Sequence, residues 1–174
     1  MDYSVHLNRE MCIGRSGVIV AEYPQAVEAG LKVLREGGNA VDAAIATAAV
    51  LNVRGPGSSG LGGDAFMLIY DAKTKRVTGI NGSGRVPRAA SVDYYKRQGA
   101  THMPEEGIYS VSVPGAVDAY IAALELFGTM PLSTLLRPAI EYAEDGIVMK
   151  ADHRRALFED EKLRRYPSSA AIYC

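Results

Sequence analysis

Apolar positions along the chain change period several times, and each change predicts an element. Residues 17–22, GVIVAE, are β-branched and bounded by glycine, which predicts a short buried strand ending at Tyr23-Pro24. Pro24 suits a first helical turn. Val27, Leu31 and Leu34 then fall at i, i+4 and i+7 as one apolar face, and Gly37-Gly38 supplies the stop. Asn39 can cap the next helix, NAVDAAIATAAVLNV, which is apolar on nearly every side and crowded with alanine. Such a helix belongs at the centre, with neighbours close all round it. After Arg54 the segment GPGSSGLGGD holds five glycines and a proline in ten residues, then AFMLIY (65–70) runs continuously apolar. A glycine-rich loop therefore feeds a core strand, and RVTGIN (76–81) returns as its antiparallel partner.

Further along, Tyr109, Val111 and Val113 alternate with Ser110 and Ser112, a half-buried strand stopped by Pro114-Gly115. Val117, Tyr120, Ile121 and Leu124 return to helical spacing up to Gly128. A last helical stretch from about Pro131 to Asp145 ends at Gly146, with Pro138 expected to split it. From Lys150 to Arg165, ten of sixteen residues are charged, and Asp160/Arg164 and Glu161/Arg165 are acid-before-base i,i+4 pairs on a solvated helix face. There is no internal repeat or composition break. Hairpin strands mixed with helix pairs, without strict alternation, indicate a layered α+β architecture.

Composition narrows the function classes. With 174 residues, 48% hydrophobic and 22% charged, the chain is an ordinary soluble domain or part of one. A net charge of −1 supplies no field for nucleic acid or an anionic membrane surface. Neither partner is expected. Cys12 and Cys174 lack the spacing of a zinc or redox site, and the first residues contain no signal-peptide core. The longest near-apolar stretch, Ala40 to Leu51, is interrupted by Asp42 and too short to span a bilayer. The expectation is a cytoplasmic protein.

Several motifs bear on chemistry. Gly55, Gly57 and Gly60 formally complete a GxGxxG, but this loop follows a helix and feeds a strand, the reverse of a dinucleotide-binding turn. Two readings of the loop stay open: a tight passage through a crowded core, or the lining of a small-molecule site. His6, His102 and His153 are scattered, with no HExxH or Cys/His cluster, so no metal is expected. No GxSxG is present. In GSGRVPR (82–88), Arg85 and Arg88 sit in a turn beside a strand end, solvated or able to clamp a carboxylate through two parallel hydrogen bonds.

Four segments, GVIVAEYPQAVEAGLKVLREGGNAVDAAIATAAVL, SSGLGGDAFMLIYDAKTKRV, YSVSVPGAVDAYIAALELFGTMPLSTLLRPAIEYAEDGI and YPSSAAIY, closely resemble the N-terminal part of gamma-glutamyltranspeptidases and their acylase-like relatives. The resemblance runs from about residue 16 to the end, leaving 1–15 as an N-terminal extension. It implies the N-terminal-nucleophile hydrolase fold, an αββα sandwich of which only the front part lies in this chain. It also implies a self-cleaving precursor whose small subunit begins with a threonine. That hydroxyl attacks a γ-glutamyl amide while the freed α-amine serves as base, without metal or organic cofactor.

The Thr-Thr-His that opens the family's small subunit is not found here, and Thr101-His102 lies between matched large-subunit segments. No catalytic residue is therefore assigned to this chain, which is expected to be inactive alone. Typical transpeptidases carry R-E-x-A-P after the hairpin, and that arginine binds the substrate α-carboxylate. Aligned on Pro87, Ser83 and Gly84 occupy the arginine-glutamate positions, and an arginine follows two places on as Arg85. The NGSGR-x-P form is similar to the acylase-like branch. The resemblance thus points to Arg85 and Ser83 as substrate-binding residues, and to Ser58, Ser59, Gly60, Gly62 and Gly63, in the loop up to Asp64, as pocket lining. Expected partners are a γ-glutamyl or related amide and the remaining large and small subunits. A glutaryl-type acylase and a non-catalytic binding module are the alternatives. The isolated chain is expected to expose strand edges and apolar faces and to self-associate.

Overall fold

Helix α1 (Pro24–Arg35) starts where a proline fits the first turn and stops at Gly37, whose φ of +92° disfavours any other residue. The computed structural model describes residues 11–149, 151–159 and 161–173. The seam that α1 buries is Ala26, Ala29, Gly30 and Val33, whereas Val27, Leu31 and Leu34 are only half buried. Small residues let the two helices close. A Cβ on Gly30 would strike the Thr47 hydroxyl and stand 3.1 Å from the Ala43 carbonyl of helix α2 (Ala40–Arg54).

Asn39 caps α2 as its sequence predicts. Its Oδ1 accepts from Val41 N at 2.8 Å and Asp42 N at 3.1 Å, while Asp42 accepts from Asn39 N at 2.8 Å, a reciprocal capping box. Asp42 also reaches the turn before helix α5 (Leu132–Asp145), accepting from the backbone N–H groups of Thr129 at 2.9 Å and Met130 at 3.2 Å and from the Thr129 hydroxyl. Burial opposes the charge of this carboxyl. The hydrogen bonds from Thr129, Asn39 and Met130 outweigh that opposition and hold its pKa below the ordinary aspartate value. Most of α2 is buried between Val41 and Arg54, with Ala44 exposed and Ala48 and 51–53 half buried.

Strands β1 (Ala65–Asp71) and β2 (Arg76–Gly82) pair antiparallel, from Ala65 opposite Gly82 to Asp71 opposite Arg76. Asp71 shapes the connection by accepting from Lys73 N at 3.0 Å and from the Thr74 hydroxyl at 2.7 Å. Ala65, Met67, Ile69 and Ile80 face a core of Val33, Val41, Ile45, Ala46, Tyr120 and Leu135, drawn from α1, α2, α4 (Ala116–Phe127) and α5 (Leu132–Asp145). Phe66, Leu68 and Tyr70 point the other way and are exposed. A second cluster, Ala26, Ala29, Ala49, Val50 and Ala139, joins α1, α2 and α5.

Four sequence expectations need correction. Residues 17–21 form no strand: Ile19 packs on the helical core, Val18 and Val20 are exposed, and among the described residues no strand runs alongside to take their hydrogen bonds. Ile108–Ser110 is a 3₁₀ turn rather than the start of a strand, set by Gly107 at φ +84° and a Ser110 hydroxyl bond to the Gly107 carbonyl at 2.8 Å. Pro138 does not split α5. Leu135 and Ala139 flank it and are buried, and their packing outweighs the missing hydrogen bond. The charged stretch is two helices, α6 (Ala151–Phe158) and α7 (Glu161–Arg164). Lys162 of α7 pairs with Glu106. Asp160 of the predicted i,i+4 pairs lies outside the described residues.

Two helices arrive without a sequence prediction: α3 (Val92–Arg97), capped by Ser91 accepting from Tyr94 N at 3.1 Å, and α8 (Pro167–Tyr173). Among the described residues no helix is long and apolar enough to cross a membrane.

Candidate functional site

Three backbone segments meet where the hairpin ends and α4 begins. They are Gly63-Asp64 entering β1, Gly82–Arg85 leaving β2, and Ser112–Ala116 entering α4. The Gly63 carbonyl accepts from Gly115 N at 3.1 Å and Ala116 N at 2.9 Å, pinning the first turn of α4 to the loop. Asp64 Oδ1 accepts from Gly84 N at 2.7 Å and from the Ser112 hydroxyl at 3.3 Å, which ties the other two segments together. Val113 N donates to the Arg85 carbonyl at 3.0 Å. Glycine is required at this seam, because a Cβ on Gly82 would stand 2.8 Å from the Ala65 carbonyl and collide with Ala119.

Arg85 is thus held through its backbone while its guanidinium is exposed. Ser83, also exposed, donates its N–H to Asn81 Oδ1 at 3.0 Å and leaves its hydroxyl at the surface. Gly63 belongs to the seam itself. Ser58 and Ser59 are folded back within the glycine loop, where the Ser58 hydroxyl and both N–H groups bond the Gly55 carbonyl. Gly60 accepts from Gly63 N at 3.1 Å, and Gly62 has open space around it. The loop follows α2 and enters β1, the order that argues against a dinucleotide turn.

Next to Arg85, Val86 lines a cavity of about 460 Å3 together with Tyr95, Lys96, Thr101, His102 and Met103. Tyr94, Tyr95 and Tyr109 stack edge-on beside it with centroids 5.5 to 6.1 Å apart. The Tyr109 hydroxyl pushes the Tyr94 phenol above its ordinary value. Thr101 and His102 contact each other at 3.1 Å between Oγ1 and Nδ1, as exposed sequence neighbours. His6 and Cys174 lie outside the described residues, Cys12 is exposed, and no group of three His, Cys, Asp or Glu among the described residues has metal-site geometry.

Asp64 and Ser112 carry the seam, and sequence reading gave neither that role. Asp64 was visible only as the last residue of a glycine loop, and Ser112 as the outer face of a strand that does not form. The usable signal was an acid directly before a core strand, facing a Gly-x-Gly at the end of that strand's hairpin partner.

Solved structures define the class. The gamma-glutamyltranspeptidase of Helicobacter pylori superposes over 92% of this chain and 47% of its own, with a TM-score of 0.84 and 33% identity. The cephalosporin acylase of Bacillus halodurans covers 92% of this chain and 32% of its own, with a TM-score of 0.75 and 36% identity. The molecule is a part of an α+β, N-terminal-nucleophile hydrolase fold. A family model described as gamma-glutamyltranspeptidase matches residues 26–174, and the chain belongs to that family. It is 40% identical over 163 residues to the glutathione hydrolase-like YwrD proenzyme of Bacillus subtilis, covering 92% of this chain and 31% of the relative. It is 36% identical over 162 residues to a glutathione hydrolase proenzyme of the same species, covering 90% of this chain and 28% of that relative. The chain thus spans about 30% of the length of these curated relatives.

Proposed function

We propose that residues 16–174 are the front of the large subunit of an amidohydrolase acting on γ-glutamyl or related dicarboxylic amides, with 1–15 as an extension. The nucleophile is then an N-terminal threonine on a segment outside this chain, and the chain by itself turns over no substrate. One observation carries the reading: the Asp64 seam fixes the Arg85 backbone and leaves its guanidinium exposed to solvent. A guanidinium so held can grip a carboxylate with two charge-assisted hydrogen bonds. Ser83 offers a neighbouring hydroxyl, and Gly63, at the end of the glycine loop, joins the same seam. Serine and glycine at the positions of the usual arginine-glutamate pair weaken selection for an α-amine, which favours hydrolysis over transfer.

A second reading, a glutaryl-type acylase, has its own support in the 37% identity over 145 residues to the Acylase ACY 1 proenzyme of Pseudomonas. Intact mass of the natively expressed protein tests the common part. A companion chain beginning with threonine supports an autoprocessed enzyme, and a chain with no companion supports the non-catalytic module. On the two-chain protein, γ-glutamyl and glutaryl anilides then separate the two substrates. Arg85→Ala is expected to raise KM about 10- to 100-fold, the loss of one charge-assisted contact. An unchanged KM removes Arg85 from the site.

A further inference from the structure

Helix α1 opens with Pro24, which carries no N–H, and Ala26 N and Val27 N donate to the Tyr23 carbonyl at 3.1 and 3.2 Å. Its N-cap residue is Tyr23, no side chain caps it, and no acid lies in its first turn. Against that end sits Arg54, the last residue of α2, with only 3% of its surface exposed and its guanidinium carbon 4.4 Å from the centroid of the Tyr23 ring. Among the described residues no acceptor reaches its Nε or Nη1. The ring face attracts the cation but takes none of these N–H groups. Glu22, exposed beside them, engages the Tyr23 hydroxyl. Arginine does not escape such a position by losing its proton, so these N–H groups call for an acceptor beyond the described residues.

We propose that the junction of the α1 N-terminus and Arg54 is a binding site for a small carboxylate. The anion takes the unmade N–H bonds of Arg54 and lies at the uncapped first turn of α1, where the helix dipole favours it. A flat monoanion matches one guanidinium in closed surroundings better than a bulky dianion does. The site is separate from the Arg85 seam, so it stands whether or not the γ-glutamyl reading holds.

The test is a titration of the 174-residue chain with sodium formate at fixed ionic strength, followed by the Arg54 Nε–H resonance and by the melting temperature. A saturable shift of that resonance with a parallel rise in melting temperature is expected, and Arg54→Met should weaken the apparent affinity at least tenfold. If Arg54→Met does not fold, Arg54→Lys, which keeps the charge but lacks the Nε–H, should still weaken it. An Nε–H resonance that formate leaves unmoved overturns the proposal without any variant. So does a response shared equally by wild type and variant, or a stronger response to inorganic phosphate than to formate.

Discussion

Helix α2 and the β1–β2 hairpin are both apolar in sequence, yet the fold treats them differently. Along α2 nearly every side is covered, by α1, α4 and α5, because its alanines let three helices approach. The hairpin is covered on one face only. Met67, Ile69 and Ile80 meet the core, while Phe66 and Leu68 remain 69% and 84% exposed. An all-round apolar helix completes its own burial within this chain, whereas a continuously apolar strand needs a second layer for its outer face. Apolarity is thus satisfied locally in one region and left open in the other.

The largest expected effect lies at the tie that closes the helical region. Asp42→Ala leaves the N–H groups of Asn39, Thr129 and Met130 without their carboxylate and should cost about 3–5 kcal/mol, read as a lower urea midpoint. A loss as small as that of an exposed substitution would show the tie to be dispensable. The same carboxyl sets an acid limit. Its folded pKa lies below the unfolded value of about 3.9, so its contribution is full above that value and is lost as pH falls through the folded one. Stability measured from pH 6 down to 2 should fall in that window, and Asp42→Asn should flatten the fall.

Gly82→Ala comes next, at about 1–3 kcal/mol, because the new methyl meets Ala119 and the carbonyls of Ala65 and Gly115. Amide exchange at Gly84, bonded to Asp64, should speed up with it. Smallest is Leu68→Ser on the outer hairpin face, within about 0.5 kcal/mol of wild type. Its signature is reduced self-association in sedimentation velocity. A stability loss as large as that at Gly82 would mean the outer face is covered after all, and would erase the contrast between the two regions.

Much of this was legible in the chain. Pro24 and Gly37-Gly38 bracket α1, Asn39 opens α2, and both strands of the hairpin appear within a residue of their predicted ends. Helix α3 carried equally local signals that went unread: Ser91 as cap, Asp93 in the first turn, Lys96 and Arg97 in the last. The strand expected at 17–22 was a different kind of miss. β-branched residues mark a stretch that can pair, but pairing depends on a partner elsewhere. At the candidate site Arg85 stood out in a turn beside a strand end, and Ser83 only through the resemblance to the family. Asp64 and Ser112, 48 residues apart, gave no local sign of meeting.

The sequence by itself determined the elements whose signals are short-ranged: helical period, cap residues, glycine stops and the continuous apolar run that opens the hairpin. The tertiary structure alone decided that Asp42 would bind a turn 87 residues away, that Pro138 would be carried inside α5, and that Arg54 would be buried over Tyr23. Each of these depends on which surfaces come together. That choice is made by packing summed over the whole chain, in which burying Leu135 and Ala139 outweighs a local cost and a buried cation persists where no local pattern would put one.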